Sequence, residues 1–178
     1  MKIQELIGNE NIKTQLIMAA AASIKRNDAI PHIVFEGPPG TGKTLFSKSL
    51  AETVNTLLFQ EEPTSINNSF SVKKITDKFP TQGYDSEGNI TGKILPPIVF
   101  IDEIHSVPIK GQEALGIAME NWAVQGESVP RFTVIGATTL VGNLSKPFLD
   151  RFKLCLKFKP YNIIDSTMDK ISEKNSIM

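Results

Sequence analysis

The sequence predicts a doubly wound α/β fold, a parallel sheet with helices on both faces, and three features carry that prediction. Segments with helical spacing alternate with short apolar runs, joined by short connections, which is the pattern of βαβ units. Residues 37–44 (GPPGTGKT) lie between an apolar stretch, HIVFE, and a helix-like stretch, LFSKSLAETV. Residues 98–101 (IVFI) are apolar throughout, as in a strand buried on both faces, and lead into Asp102 and Glu103.

Taken in order, residues 10–26 (ENIKTQLIMAAAASIKR) are alanine-rich with apolar positions at helical spacing, and the turn-forming Asn27 and Asp28 end that helix. Residues 32–36 form the first strand, which leads into the glycine-rich loop and a helix over 43–55. Residues 57–60 read as a short strand, and 70–79 (FSVKKITDKF) as a short helix stopped by Pro80. Residues 81–93 (TQGYDSEGNITGK) carry turn chemistry that suits a hairpin or a mobile loop. A strand over 98–102 precedes a helix at about 110–121, and residues 131–137 give the next strand. In LSKPFLDRF, Ser145 and Pro147 are helix-start signals that put Arg151 at the end of a short helical turn.

Composition bounds the function classes without selecting one. A chain of 178 residues is one domain, with room for the start of another. Its 19 basic and 19 acidic residues give no net charge to announce nucleic acid, membrane or an acidic ligand. One cysteine, Cys155 in the alternating stretch KLCLKF, reads as a small core residue and excludes a disulfide framework. No apolar run approaches the roughly 20 residues of a membrane span, and the N-terminus lacks the apolar core of a secretory signal, so a cytoplasmic chain is expected.

Residues 37–44 have the composition of a phosphate-binding loop, so the expected fold narrows to a P-loop NTPase. Glycines permit the positive φ and close backbone approach by which successive N–H groups surround phosphates at a helix N-terminus. Lys43 reaches the β and γ phosphates, and the Thr44 hydroxyl is a magnesium ligand. Pro39, Gly40, Thr41, Gly42, Lys43, Thr44 and Leu45 form the nucleotide-binding run. A bound triphosphate also needs a carboxylate for the metal and a group that orients water. Asp102 and Glu103 fall at a strand's C-terminal end, where open parallel sheets place ligands. Asp102 would hold the magnesium through water, and Glu103 would act as general base. His105 is not assigned that role, because Glu103 already fills it. Thr138 and Thr139 both stand where a strand inserted between the two phosphate-site strands meets the γ phosphate, and either is also an ordinary strand-end residue.

These blocks resemble the AAA+ ATPases, and within them the RuvB family of Holliday-junction branch-migration motors. The resemblance covers roughly residues 5–161 and rests on ELIGNENIK, HIVFEGPPGTGKT, IVFIDEIH followed by ALGIAMENW, PRFTVIGATT and KPFLDRF, with Tyr161 beyond it. It implies that Thr139 is the sensor of the γ phosphate and that Arg151 is an arginine finger supplied across a subunit interface, hence a homo-oligomer or ring. It also implies that Ile7 and Gly8 lie beside the adenine and that Tyr161 borders the nucleotide at the hinge to a helical lid. For Ile7, an apolar residue stapling the first helix is the alternative, and for Tyr161 a surface aromatic at a strand end. Glu120 matches a position near the nucleotide and is otherwise a helix-end carboxylate.

The chain departs from the family pattern in ways that bear on function. The core is expected over residues 1–160, with 161–178 the start of a truncated helical lid or tail. The second sensor arginine and the winged-helix domain have no counterpart, and neither has an earlier basic stretch at the adenine pocket, for which reason weaker nucleotide affinity is expected. Between Trp122 and Pro130 only AVQGESV remains, where the family carries a longer hairpin that docks a partner protein. Residues 61–97 follow the family loosely and are a candidate pore loop, with Lys73, Lys74, Lys78 and Lys93 as phosphate contacts or simply a solvated face. The resemblance implies an ATPase using ATP and magnesium, acting with DNA in recombination, repair or replication. The alternative is a nucleotide-dependent loader or switch for a helicase, clamp or other protein partner.

Overall fold

The computed structural model describes residues 2–80 and 96–160. The expected loop over 81–93, Lys93, Tyr161 and the lid segment lie outside the described residues. Five strands, β1 (Ile33–Glu36), β2 (Leu58–Glu61), β3 (Ile98–Ile101), β6 (Thr133–Thr138) and β7 (Leu154–Lys157), form one sheet in the order β2-β3-β6-β1-β7. All its pairings are parallel. A two-stranded hairpin, β4 (Ala123–Val124) with β5 (Glu127–Ser128), stands apart from it.

Alternation along the central strands explains the three layers. Ile33 and Phe35, Ile98 and Phe100, and Ile135 and Ala137 face one way, onto α1 (Glu10–Arg26) and α2 (Lys43–Val54) through Leu16, Phe46 and Leu50. Val34, Val99, Ile101 and Val134 face the other way, onto α3 (Ser69–Thr76), α4 (Ile109–Asn121) and α5 (Lys146–Leu149) through Val72, Leu115 and Phe148. A strand covered on both sides has no polar face, and IVFI is buried at every position. At about 25 cal/mol per Å² of apolar surface removed from water, such strands dominate the stabilisation.

Element ends follow local chemistry. Asn27 and Asn55 close α1 and α2 in the left-handed conformation that asparagine tolerates, at φ 51° and 53°. The helix expected over 70–79 begins at Ser69, because the Asn68 side chain accepts from the N–H groups of Phe70 and Ser71. It ends at Thr76, and the chain tightens into i→i+3 bonds from Lys78 to Ile75 and Phe79 to Thr76 before Pro80. The residues between α4 and Pro130 form the β4–β5 hairpin, whose Gln125 and Gly126 have φ of 54° and 81°, as a two-residue primed turn requires.

Cys155 corrects the expectation of a core residue. On β7, at the sheet edge, Leu154 and Leu156 take the side that packs into the core, and period-two alternation puts Cys155 on the exposed side. Partial burial, then the neighbouring Glu36 carboxylate, raises its pKa, so the thiol is not poised as a nucleophile. Among the described residues no helix is long and apolar enough to cross a membrane.

Candidate nucleotide site

Sheet order places the site. β6 pairs with β1 on one side and β3 on the other, with Glu36 opposite Thr138 and Ile101 opposite Gly136. The ends of the loop-bearing strand, the acidic strand and the strand between them therefore share one edge of the sheet. The Gly37 N–H fastens the start of the loop to that edge by donating to the Thr138 carbonyl at 3.1 Å.

Within the loop, Gly40 and Gly42 have φ of 75° and 88°, conformations open to glycine because it lacks a Cβ. Gly42 is the N-cap of α2, and no side chain among the described residues caps that helix start, so its first-turn N–H groups are available to an anion. Lys43 is buried, yet among the described residues its ammonium is held by two backbone carbonyls alone, those of Gly37 and Pro38, each at 2.8 Å. An ammonium has three donors, so one more is left for a phosphate oxygen. The Thr41 hydroxyl donates to the Pro38 carbonyl at 2.9 Å and so shapes the loop itself. Pro39 and Gly40 are exposed at its crest, Thr44 is half-buried, and Leu45 is exposed.

Across β6, the acidic strand ends at Ile101, one residue earlier than expected, and releases Asp102 and Glu103 toward solvent. The Asp102 carboxylate accepts the Glu103 N–H at 3.0 Å. Glu103 adopts φ 48°, uncommon outside glycine, at the start of a 3₁₀ turn over Ile104–Ser106. Thr44 and Asp102 are both hard oxygen donors, the kind Mg²⁺ takes in small numbers alongside phosphate and water. Among the described residues no group of three or more His, Cys, Asp or Glu could hold a metal without such help.

Thr138 and Thr139 part at the strand end. Thr138 is fully buried, and its hydroxyl meets the Leu140 N–H at 2.9 Å and His105 Nδ1 at 2.8 Å. Thr139, the first residue past β6, is exposed on the ligand edge. At the root of the loop, Phe158 N–H donates to the Glu36 carbonyl at 2.7 Å and Lys159 N–H to the Asn9 side chain at 3.2 Å. Asn9, which follows Ile7 and Gly8, is thus tied to the segment after β7 that pairs at the root of the loop. Ile7 is 54% exposed, so it does not staple α1.

Arg151 lies elsewhere. It follows α5 and precedes β7, at the N-terminal end of the strands, opposite the end that carries the loop. Its guanidinium donates to Glu120 Oε2 at 2.8 Å and to the Pro147 carbonyl, and its Nε is buried without a partner among the described residues. It passes over Gly116, where a Cβ would come within 3.1 Å of Nε. The Glu120 contact had no local signal in the sequence, since it joins residues 31 apart. The lysines of the candidate pore loop are mostly engaged: Lys73 pairs with Asp77 and Glu127, and Lys78 with Glu61. That pattern favours the solvated-face reading.

Comparison with known proteins fits this geometry. Residues 33–160 match the ATPase family associated with various cellular activities, AAA. RuvB, the Holliday junction branch migration complex subunit, of Aliarcobacter butzleri is 35% identical over 97% of this chain and 49% of its own length. RuvB of Orientia tsutsugamushi is 30% identical over 93% of this chain and 50% of its own. The solved Thermotoga maritima RuvB Holliday junction branch migration motor superposes with a TM-score of 0.77 at 28% identity, over 94% of this chain and 54% of that one. The chain spans about half the length of the relatives it matches. By sequence and by its P-loop fold, this chain belongs to the AAA family of ATPases, and RuvB proteins are its relatives within that family.

Proposed function

We propose that the chain is an ATP-binding and ATP-hydrolysing core of the Holliday-junction branch-migration type, acting on DNA in recombination, repair or replication as part of a homo-oligomer. The observation that carries the reading is the meeting of Lys43, Asp102, Glu103 and the end of β6 at one sheet edge, with β6 inserted between the other two strands. Lys43 and the loop amides from Pro39 to Leu45 bind and neutralise the phosphates. Thr44 and Asp102 would hold magnesium, which would supply positive charge against the phosphates. Glu103 takes the proton of the attacking water, Thr139 contacts the γ phosphate, and Ile7, Gly8 and Tyr161 border the base and ribose. Arg151 serves a neighbouring subunit's site, since it stands at the opposite end of the strands from its own chain's loop. A cytoplasmic setting belongs to the same proposal.

A second reading, a nucleotide-dependent loader or switch with a protein partner, draws on the Arg151–Glu120 pair. An isolated subunit holds its own finger, so turnover follows assembly. Steady-state ATP hydrolysis against protein concentration, with and without four-way-junction DNA, separates the two. The motor gives turnover that rises faster than linearly, is stimulated by the junction and is abolished by Glu103→Gln and Arg151→Ala. Nucleotide binding with negligible turnover under all these conditions overturns the motor and leaves the switch.

A further inference from the structure

His105 is the residue that the proposed chemistry leaves unused although the geometry places it at the centre. Its Nδ1 lies 3.2 Å from Glu103 Oε2 and 2.8 Å from Thr138 Oγ1. The Thr138 hydroxyl in turn accepts the Leu140 N–H at 2.9 Å, so one chain of contacts runs from Glu103 through the imidazole to the backbone just past Thr139. An ionised Glu103 facing a ring lone pair at that distance would be repelled, so the arrangement selects the tautomer with the proton on Nδ1, shared between the carboxylate and the hydroxyl.

The support beneath this chain is rigid. Ile104 is fully buried against β6, and a Cβ at Gly136 would fall 2.5 Å from its Cδ1. The turn is closed by the Ser106 N–H on the Glu103 carbonyl at 2.8 Å and the Val107 N–H on the Ile104 carbonyl at 3.1 Å. Glu103 itself is held in the left-handed region, a strained conformation for an ordinary residue that persists where its surroundings over-determine it. The backbone around Glu103 is therefore fixed, and the freedom left to its carboxylate is side-chain rotation, which His105 restrains.

We propose that His105 is a positioning residue: it fixes the Glu103 carboxylate and couples it to the end of β6, where Thr139 meets the γ phosphate. The inference rests on the ATPase reading of the site. It makes a packed, hydrogen-bonded link between the segment that contacts the terminal phosphate and the group that takes the proton from water.

Two measurements on the 178-residue chain test it. Because the protein has two histidines, ring ¹⁵N shifts resolve each, and His32 is the internal reference, with its Nδ1 accepting the Val134 N–H. The expected result is an Nδ1–H tautomer for His105 whose ring shifts move with Glu103→Gln and with Thr138→Val. In steady-state kinetics, His105→Leu lowers kcat about 10- to 100-fold, the scale of a misplaced catalytic group, with ATP affinity unchanged. His105→Asn, which can return a donor near the Nδ1 position, stays within about threefold of wild type. Thr138→Val added to His105→Leu costs little more, as for members of one unit. Ring shifts indifferent to Glu103→Gln, or full turnover in His105→Leu, would overturn the proposal. If wild type binds ATP without turning it over, the ATPase reading fails, and the ring shifts alone decide the Glu103–His105 link.

Discussion

Lys43 sets a functional requirement against a structural cost. Its ammonium is buried on two neutral carbonyls, with no carboxylate partner among the described residues, an arrangement that stability alone does not favour. Lys43→Met keeps the length and apolar stem and removes the charge. Nucleotide affinity should fall about 10- to 100-fold, the loss of a charged hydrogen bond of about 1.5–3 kcal/mol, while the thermal midpoint holds or rises. Titration with a fluorescent ATP analogue and a melting curve on the same sample check both halves. His32 makes the opposite case, a titratable group kept neutral by the core. Burial among Trp122, Phe132 and Phe152 lowers its pKa from 6.5 to about 4, and Nδ1 must stay unprotonated to accept the Val134 N–H. Between those values the unfolded chain binds a proton that the folded chain refuses, so stability rises with pH across the window. The contribution is complete above pH 6.5 and is lost as pH falls toward 4, by about 3 kcal/mol at 1.36 kcal/mol per unit. Urea unfolding at several pH values should show that slope in wild type and most of it gone in His32→Asn, which retains an acceptor but does not titrate.

β6 is the element on which the site depends, and its packing against the acidic turn is tight enough to test. Gly136→Ala puts a methyl 2.5 Å from Ile104 Cδ1, so either the strand or the turn carrying Glu103 must shift. Overpacking of this kind costs about 1–3 kcal/mol. Ile104→Val removes the Cδ1 methyl and should recover part of that loss in the double variant, giving a coupling term in a denaturation cycle. Strict additivity of the two substitutions would show that the contact is not what limits residue 136. The central strands were legible in the sequence because runs such as IVFI can be satisfied only between two helical layers, and the end of α1 because Asn27 marks it. The boundaries of α3 were less so: Asn68 caps it two residues ahead of Phe70, its first apolar position, through a side-chain bond that periodicity does not encode. The phosphate loop was legible because its chemistry is local. The contacts of His105 with Thr138 and of Arg151 with Glu120 span 33 and 31 residues, and only the sheet order and the seating of α5 on α4 bring them together. Cys155 was misplaced for a related reason, since alternation fixes which residues share a side but not which side an edge strand leaves open.

At the scale of the molecule, the proposed function requires the two ends of the sheet to carry two halves of one site. The phosphate loop follows the C-terminal end of β1, while Arg151 precedes β7, which runs parallel beside it. A four-residue strand at about 3.3 Å per residue puts roughly 13 Å of sheet between those ends, before the loop itself is added. Arg151 cannot turn back to its own phosphates without unseating α5. The pair that restrains it is weak, for Glu120 is 61% exposed and such pairs contribute at most about 1 kcal/mol, so a neighbour's phosphate could displace it readily. A head-to-tail assembly, in which each interface joins one subunit's loop edge to the next subunit's arginine edge, satisfies both halves and closes as a ring when the rotation allows. Complementation tests this directly. Arg151→Ala and Glu103→Gln chains should each be inactive alone. An equal mixture should recover about a quarter of wild-type turnover, because that share of random head-to-tail interfaces pairs an intact Glu103 with an intact Arg151. The measurement is ATP hydrolysis at concentrations above assembly, with subunit exchange allowed to finish. A mixture as inactive as its parents would place both residues in the service of the same subunit, and the head-to-tail arrangement would be wrong.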